Sequence, residues 1–246
     1  MTRVLPDKIS KLGRDVSQRA GKNERQFIPH SVRVTGVIFF GDSIFAGTGA
    51  SDRQLGCAKL VKSSLSIPVS IRSRNRDTSD IGLRRISEDV LKHREYSHIP
   101  ILFGNNDCWF NKEGESCVPI EFFERNLRRM VQLIQDNKQT PLLCNLQPID
   151  NAKFFRTYPE YTKYRDSINL SPLLWQRCYG DRIEIICHDL GITLINIRAT
   201  LEGEISLVLS DDGIHPNDKG HMLIASTVLE QITKLDPTSE RSIISS

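Results

Sequence analysis

From about residue 33 onward, apolar and polar positions alternate between short solid runs and longer periodic stretches. Short apolar runs occupy Val34–Phe40, Pro68–Ile71, Ile99–Phe103, Pro141–Leu146 and Ile192–Ile197. Each has the length of a strand buried on both faces. Between them lie stretches with helical spacing. Over Ile120–Asn137 the residues Phe123, Leu127, Met130, Val131 and Ile134 return to one stripe, the mark of an amphipathic helix. A last helix starts near Asn217 and stacks His221, Ala225, Val228, Leu229 and Ile232 in the same way. Such alternation predicts a mostly parallel sheet with helices on both faces, since parallel neighbours need crossovers that pack back onto the sheet. Ligands of such sheets bind at the carboxyl ends of the strands. The residues that follow each run are therefore the ones to inspect for chemistry.

After the first run comes Gly41-Asp42-Ser43-Ile44. A serine there stands at the mouth of the sheet, on the turn into the next helix. Its hydroxyl is a weak nucleophile until a base takes the proton; taken alone, it equally fits a helix cap. After the third run comes Gly104-Asn105-Asn106-Asp107. Asn106 could aim an amide N–H at the mouth and stabilise an oxyanion, although such sequences also make ordinary turns. Near the C-terminus stands Asp211-Asp212-Gly213-Ile214-His215-Pro216. Asp212, with a glycine between to permit a tight bend, can accept the Nδ1–H of His215 and leave Nε2 free as a base. On its own, His215 also reads as a helix-entry residue before Pro216. Together the segments supply nucleophile, oxyanion donor, base and orienter, the set that acyl transfer requires. His93 and His221 lie on helical patterns and read as packing or surface residues. No G-x-S-x-G elbow is present, which sets the chain apart from the α/β-hydrolase arrangement.

Composition adds bounds. The chain has 246 residues, 39% hydrophobic and 26% charged, enough for one large domain with a full core. No run approaches a membrane span, and the N-terminus has no apolar stretch of the secretory-signal kind. The first thirty positions hold seven basic residues against three acidic ones, a formal charge of +4, so the rest of the chain sums to −1 within the overall net charge of +3. With no aromatics interleaved, this leader reads as disordered or loosely docked, and nucleic acid is not expected as a partner. The six cysteines show no C-x-x-C spacing. They are expected to be reduced thiols, with no disulfide framework and no zinc site. A cytoplasmic location is the corresponding expectation, and neither metal nor organic cofactor is called for.

The motifs resemble those of the SGNH/GDSL hydrolase superfamily of esterases, lipases, thioesterases and carbohydrate deacetylases. Phe40-Gly41-Asp42-Ser43 is similar to its first block, Phe103-Gly104-Asn105-Asn106-Asp107 to its third, and Asp212-Gly213-Ile214-His215-Pro216-Asn217 to its fifth. The matching segments run from about Val34 to Leu229, and Leu146-Gln147-Pro148-Ile149-Asp150 resembles a subgroup of bacterial members. The resemblance implies a flavodoxin-like three-layer α/β/α sandwich with a five-stranded parallel sheet of order 2-1-3-4-5. It implies a hydrolase domain over residues 31–235, between the leader of residues 1–30 and a polar tail of residues 236–246. It also implies catalysis by Ser43, His215 and Asp212 through an acyl-enzyme. The oxyanion hole would combine the Ser43 N–H, the Asn106 side chain and a second-block N–H.

The second block departs from the pattern, with Arg76 where the family places glycine. Its N–H survives the exchange, but a left-handed backbone there costs a non-glycine residue about 1–2 kcal/mol. The implication is either a rearranged loop or an arginine turned toward substrate. Arg72, Arg74, Arg76, Arg84 and Arg85 make this stretch basic; several of them facing the cleft would favour an ester bearing a carboxylate or phosphate, whereas an exposed basic helix start is the plainer reading. Candidates for substrate contact are Asp42, Arg74, Trp109 and Phe110. The segments Cys108–Pro119 and Asp150–Pro172 carry Trp109, Phe110, Phe154, Phe155, Tyr158, Tyr161 and Tyr164, which suit either a sugar or acyl pocket or ordinary packing. The expected activity is hydrolysis of a short acyl ester or an O-acetyl sugar. Acyl transfer on the same residues is one alternative, and a weakened binding or accessory protein is another.

Overall fold

The computed structural model describes residues 33–110, 114–162 and 171–236. The basic leader and all of the polar tail beyond Asp236 lie outside the described residues, as does Tyr164. Five parallel strands form one sheet: β1 (Val37–Gly41), β2 (Val69–Ser73), β3 (His98–Leu102), β4 (Thr140–Cys144) and β5 (Thr193–Ile195). Their spatial order is β2-β1-β3-β4-β5, the 2-1-3-4-5 order expected. Val37 stands opposite both Val69 and His98, which brings the carboxyl ends of β1, β2 and β3 to one edge.

Side chains alternate across a strand, and the sheet divides its core accordingly. Val37 and Phe39 of β1, with Leu142 and Ile195, face α2 (Cys57–Ser64) and the last helix, α9 (Asp218–Leu235). Ile38 and Phe40, with Ile99, Ile101 and Leu143, face the other layer. That layer includes α3 (Ser79–Ile86), α4 (Ile120–Asp136) and α6 (Pro172–Leu190). Phe123, Leu127, Met130, Val131 and Ile134 of α4 are all buried, as their spacing requires. Along α9 the predicted stripe is buried at His221, Ala225, Val228 and Ile232 and partly buried at Leu229.

Strand boundaries shift by a few residues for local reasons. β1 begins at Val37, whose N–H donates to Pro68; Val34 is tied instead to the Asp236 carboxylate, 2.8 Å away. β5 stops at Ile195 because the Asn196 side chain accepts from the Ala199 N–H and starts α7 (Ile197–Glu202). Among the described residues, the other short α-helices are α1 (Ser43–Ala46), α5 (Asn151–Thr157) and α8 (Ile205–Val208). Among the described residues, no helix is long and apolar enough to cross a membrane.

Candidate active site

Gly41 ends β1, and Asp42 caps α1 by accepting from the Ile44 N–H at 3.0 Å. The cap places Ser43 at the first helical position, where its backbone N–H has no intrahelical acceptor. Its Oγ lies 2.9 Å from Nε2 of His215, whose Nδ1 lies 2.5 Å from Oδ2 of Asp212. The other Asp212 oxygen accepts from the N–H groups of Ile214 and His215 and from the Ser210 hydroxyl, at 2.8–3.0 Å. Partial burial disfavours the charged carboxylate. The His215 bond and the two backbone donors outweigh it and hold Asp212 far below the ordinary carboxylate range. The arrangement can draw a proton from the Ser43 hydroxyl and stabilise the resulting imidazolium.

The loop that carries this pair is clamped on several sides. Gly213 adopts φ +75°, a left-handed turn that lets Asp212 and His215 fold onto each other. Its carbonyl accepts from the Asp150 N–H, and the Ile214 carbonyl accepts from the Gln147 side chain. Opposite, a Cβ at Gly49 would come 2.7 Å from Cβ of His215 and 2.3 Å from the Pro216 carbonyl. The Leu146–Asp150 segment thus supports the histidine loop, a role its sequence did not disclose.

The second loop follows β2. Arg76 adopts φ +67°, a left-handed conformation that is costly for a residue with a side chain. Among the described residues, no acceptor pairs with the Arg76 N–H. Asn106 reaches the same loop, donating one amide hydrogen to the Asp77 carbonyl at 2.9 Å and keeping its second. Beneath it, Asp107 is fully buried and accepts from the Ser79 N–H and hydroxyl, which joins the β3 turn to the start of α3. Burial pushes the Asp107 carboxyl up to about 7 in spite of these bonds.

A cleft of about 590 Å³ opens over these groups. Ser43, His215, Arg76, Asn106 and Trp109 line it, as the sequence leads one to expect. Thr48, Asn75, Thr78, Cys117, Tyr158 and Ile214 line it too, and of these only Tyr158 carried a sequence signal, as a loop aromatic. Three expected substrate contacts are corrected. Asp42 is fully buried and points away from the cleft, accepting from the Asn105 side chain at 3.1 Å, and burial pushes its carboxyl up to about 6. Arg74 pairs with Asp89 at 2.9 Å and does not line the cleft. Phe110 is stacked on Trp175 and packs with Ile149, Phe154 and Tyr161 as a cluster under the loops. His221 bridges α9 to the first loop: Nδ1 accepts from the Cys57 N–H and Nε2 donates to the Thr48 carbonyl, a satisfied core histidine.

Residues 39–223 match the model of the GDSL-like lipase/acylhydrolase family, and the chain belongs to that family. Solved structures agree in fold. A lipase/acylhydrolase from Enterococcus faecalis aligns with a TM-score of 0.63 at 20% identity, over 81% of this chain and 95% of its own. A catalytic mutant of an acetylxylan esterase from Geobacillus stearothermophilus aligns at 0.61 and 20%, over 80% and 94%. A psychrotrophic esterase from a Pseudoalteromonas species, inhibited by monoethylphosphonate, aligns at 0.60 and 22%, over 81% and 97%. Comparison with curated protein sequences returns no match.

Proposed function

We propose that the protein is a serine esterase that hydrolyses short acyl esters or O-acetyl sugars through an acyl-enzyme. The observation that carries this reading is the unbroken chain from Ser43 Oγ through His215 to Asp212, at 2.9 and 2.5 Å, whose Ser43 and His215 line an open cleft. In this scheme His215 Nε2 takes the Ser43 proton as Oγ attacks the ester carbonyl. The oxyanion that forms is held by the N–H groups of Ser43 and Arg76 and by the second amide hydrogen of Asn106. As the intermediate collapses, His215 returns the proton to the departing alcohol. Water, deprotonated by the same nitrogen, then releases the acyl group. Asp212, with four hydrogen bonds to its two oxygens, keeps the imidazole oriented and balances its charge in both halves.

Trp109 and Tyr158 stand with ring centroids 5.1 Å apart, edge to face, and both line the cleft. This aromatic wall suits a sugar ring or a short acyl chain, and the acetylxylan esterase among the structural neighbours supports the same substrate class. Turnover of p-nitrophenyl esters of increasing chain length, beside acetylated sugars, tests the proposal. Ser43→Ala is expected to lower kcat by about three orders of magnitude or more on every accepted ester. Retention of wild-type turnover by that variant would contradict the reading.

A further inference from the structure

Five arginines crowd the segment that follows β1 in space, and the fold treats one of them differently. Arg72 donates to Ser70 at 3.1 Å, Arg74 pairs with Asp89 at 2.9 Å, and Arg84 pairs with Asp80. Arg85 is buried, with Asp77 and Asp89 each 2.7 Å away and the Phe40 ring beneath it. Arg76 alone lines the cleft, and among the described residues it has no carboxylate partner. None of the described residues lining that cleft is acidic. Asp212, the nearest catalytic carboxylate, has both oxygens committed to its own loop. A permanently charged guanidinium thus sits at the mouth with its fork of donors unspent. The position also holds φ +67° with a non-glycine residue, a conformation that glycine would adopt without cost.

We infer that Arg76 selects esters carrying an anionic group, a carboxylate or a phosphate, close to the scissile bond. The inference rests on the esterase reading and adds the charge of the substrate to it. Because the N–H of the same residue holds the carbonyl oxygen in that reading, ester and anion lie within one arginine side chain of each other. The Trp109–Tyr158 wall packs against the uncharged part.

Matched esters test this. On the alcohol side they are 1-acetylglycerol, 3-O-acetylglycerate and 1-acetylglycerol 3-phosphate; on the acyl side, ethyl butyrate and monoethyl glutarate. At low ionic strength the wild type is expected to prefer at least one anionic ester over its neutral mate by about fivefold or more in kcat/KM. The carboxylate and phosphate arms then report which anion is taken. Arg76→Gly should bring that ratio close to one, Arg76→Lys should keep much of it, and added salt should erode it. Hydrolysis of the neutral esters with no anionic preference, or a ratio unmoved in Arg76→Gly, would overturn the inference and leave the esterase reading standing. If no ester is hydrolysed and Ser43 resists a fluorophosphonate, the esterase reading itself fails, and the inference with it.

Discussion

Asp212 uses both of its oxygens, one for the imidazole and one for the backbone of its own turn. That division separates orienting the base from shaping the loop. Asn at this position can keep the backbone bonds if its oxygen faces them, but it then presents an amide to Nδ1 and favours the wrong tautomer. Asp212→Asn is therefore expected to lower kcat about a thousandfold or more with little change in KM and an intact fold. A loss confined to KM, measured with any accepted ester, would argue against an orienting role. That Ser43, Asn106 and His215 would line one cleft, with Asp212 against the imidazole, could be anticipated because each fell just after a strand or in a short spaced pair. Asp42, Arg74 and Phe110 were misread for one shared reason: proximity in sequence does not say which way a side chain points. Asp42 turns inward to cap α1 and meet Asn105, and Arg74 turns to Asp89.

At the level of elements, the site is a set of loops braced against one another. The histidine loop leans on Gly49 from the first loop and on Gln147 and Asp150 from the segment after β4. Gly49 has φ +98°, and a methyl group there would meet the Pro216 carbonyl at 2.3 Å. Gly49→Ala is expected to shift the first loop and the His215 loop relative to each other, and a displacement near an ångström lowers kcat about a hundredfold. Steady-state kinetics beside a thermal melt check this; a folded variant with unchanged kcat would show that the loops are not coupled. The five strands, their order and the two long helices were readable because buried strands are solid apolar runs and amphipathic helices return every third or fourth residue. The bracing was not, since Gly49, Asn105 and Gln147 act through partners roughly 40 to 170 residues away in sequence.

Across the whole molecule, two apolar cores flank the sheet and hold the strand ends in register beneath the cleft. His98 begins the central strand β3, is nearly inaccessible, and donates to or accepts from the Ser97 hydroxyl at 2.8 Å. Burial lowers its pKa from 6.5 to about 4, with Asp236 opposing. The folded state therefore takes up this proton less readily than the unfolded chain. The contribution is complete above about pH 6.5 and is lost as pH falls toward about 4. Chemical denaturation across that interval should show the wild type losing on the order of 3 kcal/mol through this group. His98→Gln should show a flatter profile, and an equal slope in both proteins would remove His98 as the cause. The proposed function rests on a single claim, that Ser43 is activated by His215 as a nucleophile. Its most direct test is treatment of the folded protein with a fluorophosphonate, followed by mass spectrometry of the digested chain. One phosphonyl group is expected on Ser43, formed much more slowly in His215→Ala; a folded protein that carries none, or carries it on another serine, would contradict the account.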